Sequence, residues 1–175
     1  MSSPPFVSRS LWHVERPRIL VIACSDGRYQ EALDEFLHQL GIFAYDRLYV
    51  PGGPGALASS SLSYFRGDQF RQDAAFLIER HNVQRMVFVF HGPALDGGPP
   101  EAVCADYDRK MPFAKPEEIH AQHEKDLQEI LRGMRRENPG LSIEIFRAEV
   151  RQDHHVAFNP LSEPADSWYY ATPAE

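Results

Sequence analysis

Apolar residues recur along this chain with two different periods. Residues 19–23 and 86–90 are nearly unbroken apolar runs. Such runs suit strands buried on both faces of a parallel sheet, so strands are expected over 18–24 and 83–90. A shorter strand is expected over 46–50, running into Pro51-Gly52-Gly53-Pro54-Gly55. Ile143, Ile145 and Ala148 alternate with polar residues, marking a further strand over 141–150, nearer a sheet edge. Other segments follow the helical period. Leu33, Phe36, Leu37 and Leu40 form one stripe on a helix over 31–40, with Gly41 where a C-terminal cap belongs. Phe70, Ala74, Leu77 and Ile78 do the same for a helix over 68–81. A long helix over 117–137 carries Leu127, Ile130, Leu131 and Met134 and stops before Asn138-Pro139-Gly140.

Strands alternating with helices imply right-handed βαβ units, hence a three-layer α/β domain with a mostly parallel sheet between helices. The organisation reads as an N-terminal arm over 1–17, a domain over 18–155 and a wrapping tail over 156–175. The arm carries Phe6, Leu11 and Trp12 as apolar anchors; such arms fray or dock on a neighbouring subunit. Pro160, Pro164 and Pro173, with Trp168, Tyr169 and Tyr170, give the tail its irregular character.

Composition narrows the partners. The chain has 175 residues, 43% hydrophobic and 25% charged, which suits one globular domain. Its formal net charge is -7 and its Lys and Arg are scattered, against a nucleic-acid surface. No apolar run approaches the ~20 residues of a membrane helix, and 1–17 lacks a signal-peptide apolar segment. A cytoplasmic address is therefore expected, with Cys24 and Cys104 kept reduced as thiols or metal ligands.

The chemistry gathers at one end of the expected sheet. Ligands of parallel sheets bind beyond the carboxyl ends of the strands. There the first apolar run delivers Cys24, Asp26 and Arg28 at alternate positions, and the 86–90 run ends in His91. A thiolate and an imidazole are half of a zinc site, and too soft a pair for magnesium or calcium. Cys104 lies beyond a Pro/Gly-rich insertion within the 92–116 loop. It either returns to complete a Cys₂His set or begins a short helix over 100–108 as a buried small hydrophobe. His120 and His123 extend the apolar stripe of the long helix; they either line the cleft or sit partly buried at the helix end. His154-His155 reads as a solvated pair. Gly52 and Gly53 could offer backbone N–H groups to an anion such as bicarbonate. The loop lacks the Gly-Lys-Ser/Thr ending of a P-loop, and no Gly-x-Ser-x-Gly elbow is present.

Cys24-Ser25-Asp26-Gly27-Arg28, followed by His91, resembles the Cys-x-Asp-x-Arg and His-x-x-Cys motifs of the β-class carbonic anhydrases. The resemblance spans roughly 18–150 and departs at position 94, where the family's cysteine is Ala94. It implies a β-carbonic-anhydrase fold, zinc held by Cys24 and His91, a catalytic Asp26–Arg28 dyad, carbon dioxide or bicarbonate as substrate, and a homodimer. Two readings follow. In one the zinc site is weakened or lost, carbon dioxide hydration is low or absent, and the chain survives as a binding or assembly module. In the other it is a zinc lyase, or a hydrolase of a related small electrophile, with Cys104, Asp26 or a histidine as third ligand. Ala94 has no donor atom, which favours the first.

Overall fold

The computed structural model describes residues 6–9 and 11–161. The unbroken apolar runs become the centre of a five-stranded sheet in the order β2-β1-β3-β4-β5. Its strands are β1 (Ile19–Cys24), β2 (Asp46–Val50), β3 (Arg85–Pro93), β4 (Ser142–Val150) and β5 (Val156–Pro160). The first four are mutually parallel, and β5 returns antiparallel to β4. Strand β3 extends three residues past the expected end, so His91 lies within it, paired with Ala148 of β4.

One expectation is corrected at the far side of the sheet. β4 lies nearer an edge as expected, one strand in, and β5 pairs along it from Val150↔Val156 to Phe146↔Pro160. The start of the expected tail is therefore sheet, and its proline marks the strand's end rather than irregular chain. Pro164, Trp168, Tyr169, Tyr170 and Pro173 lie outside the described residues. The described part of the arm carries no helix or strand, and Phe6, Leu11 and Trp12 are exposed.

Helices cover both faces. On one, α1 (Gln30–Gln39) sets Leu33 and Leu37 against Val21, Ala23, Val87 and Val89. On the other, α2 (Tyr64–His81) and α4 (Pro116–Glu137) set Phe70, Ala74, Leu127, Ile130 and Met134 against Leu20, Ile22, Met86, Phe88 and Phe90. Strand neighbours thus alternate between the two cores, as a period of two demands. Leu20, Ile22 and Phe88 are completely buried; each such side chain contributes about 1.5–3 kcal/mol. α2 starts a turn earlier than its apolar stripe, because the Ser63 hydroxyl accepts the Arg66 N–H at 3.3 Å and caps the helix. α4 opens on Pro116, with Glu118 accepting the Lys115 N–H at 2.8 Å. The expected helix over 100–108 divides into a 3-10 turn, Pro100–Ala102, and α3 (Ala105–Lys110), with Cys104 between them.

Candidate metal centre

β1 ends at Cys24 in register with Val50, while β3 carries His91 to the same end of the sheet. Cys104 arrives from the α3 side. The Cys24 and Cys104 Sγ atoms are 3.8 Å apart, and with a His91 ring nitrogen the three donor atoms all lie within 4.8 Å of one another. A tetrahedral centre with metal–sulfur bonds of ~2.3 Å requires a sulfur–sulfur separation of about 3.8 Å. Both cysteines are free thiols, and all three residues are buried. Neither His91 nitrogen makes a hydrogen bond of acceptable geometry among the described residues, which is exceptional for a buried imidazole. The Tyr29 ring packs on His91 with centroids 4.1 Å apart. Two thiols and an imidazole gathered within 4.8 Å form a donor set that fits zinc.

The two thiols are shifted in opposite directions. Cys24 is pulled well below its ordinary range, first by the hydrogen bond from the Cys104 thiol and then, against burial, by the nearby imidazole of His91. Cys104 is pushed up, first by its hydrogen bond with Cys24 and then by burial.

Asp26 is not in the donor group, because Arg28 holds it. The Arg28 backbone N–H and Nε each donate to Oδ1 at 3.0 Å, and Nη2 donates to Oδ2 at 2.6 Å. The guanidinium beside it holds the Asp26 carboxyl down at about 2. Arg28 Nη1 also donates to the Glu101 carbonyl at 2.9 Å, tying the dyad to the segment that brings Cys104.

The remaining expected residues divide. Gly52 and Gly53 bend the chain under the end of β1 with φ of +88° and +54°. A Cβ on Gly53 would lie 2.9 Å from the Cys24 nitrogen, so close approach to the sheet already demands glycine there. His120 and His123 are both buried but outside the donor group. His120 Nε2 contacts the Pro93 carbonyl at 3.2 Å, and Arg147 Nη1 meets its Nδ1 at 3.0 Å. His123 is enclosed by Phe90 and Tyr107. His154 and His155 are exposed in the β4–β5 turn. Ala94 is buried, its N–H bonded to the Val150 carbonyl at 2.9 Å.

Sequence reasoning passed over Tyr29 and the residues beneath Cys104. Tyr29 donates its hydroxyl to the Ala102 carbonyl at 2.9 Å while its ring packs on His91. Asp126, on the buried stripe of α4 between His123 and Ile130, gathers Ser60, Tyr107, Lys110 and Gln122. A carboxylate at an inward helical position was the available signal.

No family model and no curated protein matches this chain. Solved structures of carbonic anhydrases are similar to it. The β-carbonic anhydrase CafA of Aspergillus fumigatus is 15% identical, with 86% of this chain and 78% of that chain covered at a TM-score of 0.47. The carbonic anhydrase of Streptococcus mutans is also 15% identical, with 85% and 87% covered at a TM-score of 0.47.

Proposed function

We propose that this chain is a zinc-dependent lyase interconverting carbon dioxide and bicarbonate, with Cys24, His91 and Cys104 as its metal ligands. The observation that carries the reading is the 3.8 Å between the two sulfurs, next to an imidazole whose nitrogens have no hydrogen-bond partner among the described residues. The reading of a weakened site supposed that Ala94 leaves only two ligands; the position of Cys104 supports a third. Asp26 then stays available for the dyad instead of being needed on the metal.

Zinc, when bound, lowers the pKa of a coordinated water to roughly 7. The chain's own residues do the rest. Asp26 remains ionised far below neutrality and is fixed by three Arg28 donors. It is therefore a pre-oriented acceptor for the O–H of an attacking nucleophile, which aims the nucleophile's lone pair at the carbon of carbon dioxide. Arg28 keeps that carboxylate from swinging towards the metal.

The test is elemental analysis of the purified chain followed by stopped-flow carbon dioxide hydration on the zinc-loaded protein. One zinc per chain with hydration abolished in Cys104→Ser is expected. Stoichiometric zinc retained in Cys24→Ala would overturn the ligand set, and absence of hydration at full zinc loading would overturn the activity. As in the family it resembles, a second copy is the proposed partner, measured by sedimentation velocity.

A further inference from the structure

We propose that Asp126 positions Cys104 as a metal ligand by anchoring α3 to α4. The inference rests on the ligand set proposed above. Cys24 and His91 are delivered by strands whose backbones are paired on both sides. Cys104 has no such support. It sits ahead of a six-residue helix, and so short a helix has little stability of its own. Its placement must come from side chains.

Those side chains fasten the segment ahead of Cys104 and the helix behind it. Ahead, Arg28 and Tyr29 donate to the carbonyls of Glu101 and Ala102, each at 2.9 Å. Behind, Asp106 in the first turn of α3 accepts from Arg66 Nη2 at 2.7 Å, while Tyr107 and Lys110 converge on Asp126. Its Oδ2 accepts the Tyr107 hydroxyl at 2.6 Å and the Lys110 ammonium at 2.8 Å, both from α3. Its Oδ1 accepts from Ser60 at 2.6 Å and Gln122 at 2.7 Å. Lys110 also donates to the Ser60 hydroxyl. Asp126 and Tyr107 are each 1% exposed, so these bonds work without competition from water. Gly55 keeps the path open, since a Cβ there would lie 2.1 Å from the Tyr107 hydroxyl oxygen.

The geometry links this anchor to the sulfur. Tyr107 lies in the first turn of α3, where the Asp108 N–H donates back to the Cys104 carbonyl at 2.8 Å. A shift of α3 therefore moves Cys104 with it. Metal–ligand distances tolerate only about 0.2 Å, so a loosened anchor loses the ligand before it loses the fold. Asp126 touches neither sulfur; it acts through Tyr107, Lys110 and the helix they belong to.

The test compares full-length Asp126→Asn and Tyr107→Phe with Cys104→Ser, each reconstituted with cobalt(II) and with zinc. The readouts are the thiolate-to-cobalt charge-transfer intensity and the zinc affinity from chelator competition. Expected for both anchor variants is a fall in intensity toward the one-thiolate level of Cys104→Ser, with zinc bound roughly 10–100-fold more weakly. Leu37→Ala, in the core on the other face of the sheet, serves as a destabilised control that keeps full intensity and affinity. If Asp126→Asn fails to fold, Tyr107→Phe, which removes one hydroxyl, decides alone. Unchanged intensity and affinity in the anchor variants, while Cys104→Ser loses a thiolate, would overturn the positioning and leave the ligand set standing. Equal losses in Leu37→Ala would also overturn it, since general destabilisation would then explain the effect. Two-thiolate intensity in Cys104→Ser itself would instead overturn the ligand set.

Discussion

Asp126 and His91 are both buried polar side chains, 1% and 4% exposed, but the fold surrounds them differently. Asp126 has both carboxylate oxygens engaged by donors from two helices and a loop, with the Lys110 ammonium balancing its charge. His91 has no hydrogen-bonding partner among the described residues and faces two thiols. A satisfied buried carboxylate holds neighbouring elements in one arrangement. An unsatisfied imidazole costs about 1–3 kcal/mol, although the Tyr29 ring packs on it. The first arrangement is what an anchor needs and the second what a metal ligand needs.

The largest effect that would sharpen this contrast is on stability. Asp126→Ala strands the Lys110 ammonium, whose side chain is only 12% exposed. Breaking such a buried pair costs about 3–5 kcal/mol, read as a lower urea midpoint with unchanged slope. A loss below 1 kcal/mol would mean the network is solvated and the contrast false.

A smaller loss is expected from Gly55→Ala. The new methyl collides with the Tyr107 hydroxyl and displaces it from Asp126. Overpacking of this kind costs about 1–3 kcal/mol. Adding Tyr107→Phe should recover part of that loss by removing the clashing oxygen, and a double variant no better than Gly55→Ala would place the strain elsewhere.

The third test concerns pH and His123, whose nitrogens also have no hydrogen-bond partner among the described residues. His123 is fully buried, and its pKa is pushed well down by burial, then by Arg147, His120, His91 and Lys110. Below its ordinary value of about 6.5 the unfolded chain gains a proton that the folded chain refuses. The stability is therefore complete above that pH and declines as the pH falls through and below it. His123→Leu should remove up to about 1.4 kcal/mol per pH unit of this slope in metal-free protein. An unchanged slope in acid titrations followed by circular dichroism would assign the dependence to another group.

The smallest expected change is the most diagnostic. In metal-free protein, His91→Leu should leave stability unchanged or raise it by up to about 1 kcal/mol, because an unsatisfied group is replaced by an apolar one. The same substitution should abolish stoichiometric zinc. A large loss of metal-free stability would show that His91 is an anchor after all.

Much of this molecule was legible along the chain. The unbroken runs became the central strands, and the helical stripes became α1, α2 and α4 with small shifts at their ends. Cys24, Asp26, Arg28 and His91 were placed at one end of the sheet because strand direction alone puts them there. The strand beside β4 was not legible. Residues 156–160, ending in a proline, read as tail, and only their return along β4 makes them β5.

Local periodicity therefore determined the layers and two of the three donors of the candidate metal centre, since it depends on neighbours a few residues apart. The third donor was decided by tertiary structure. Cys104 meets Cys24 across eighty residues of sequence, and Asp126 meets Tyr107 across nineteen. No spacing rule reaches so far. The path of the loop and the packing of α3 on α4 bring those side chains together, and a glycine, a tyrosine and a buried carboxylate acquire their meaning only once that packing exists.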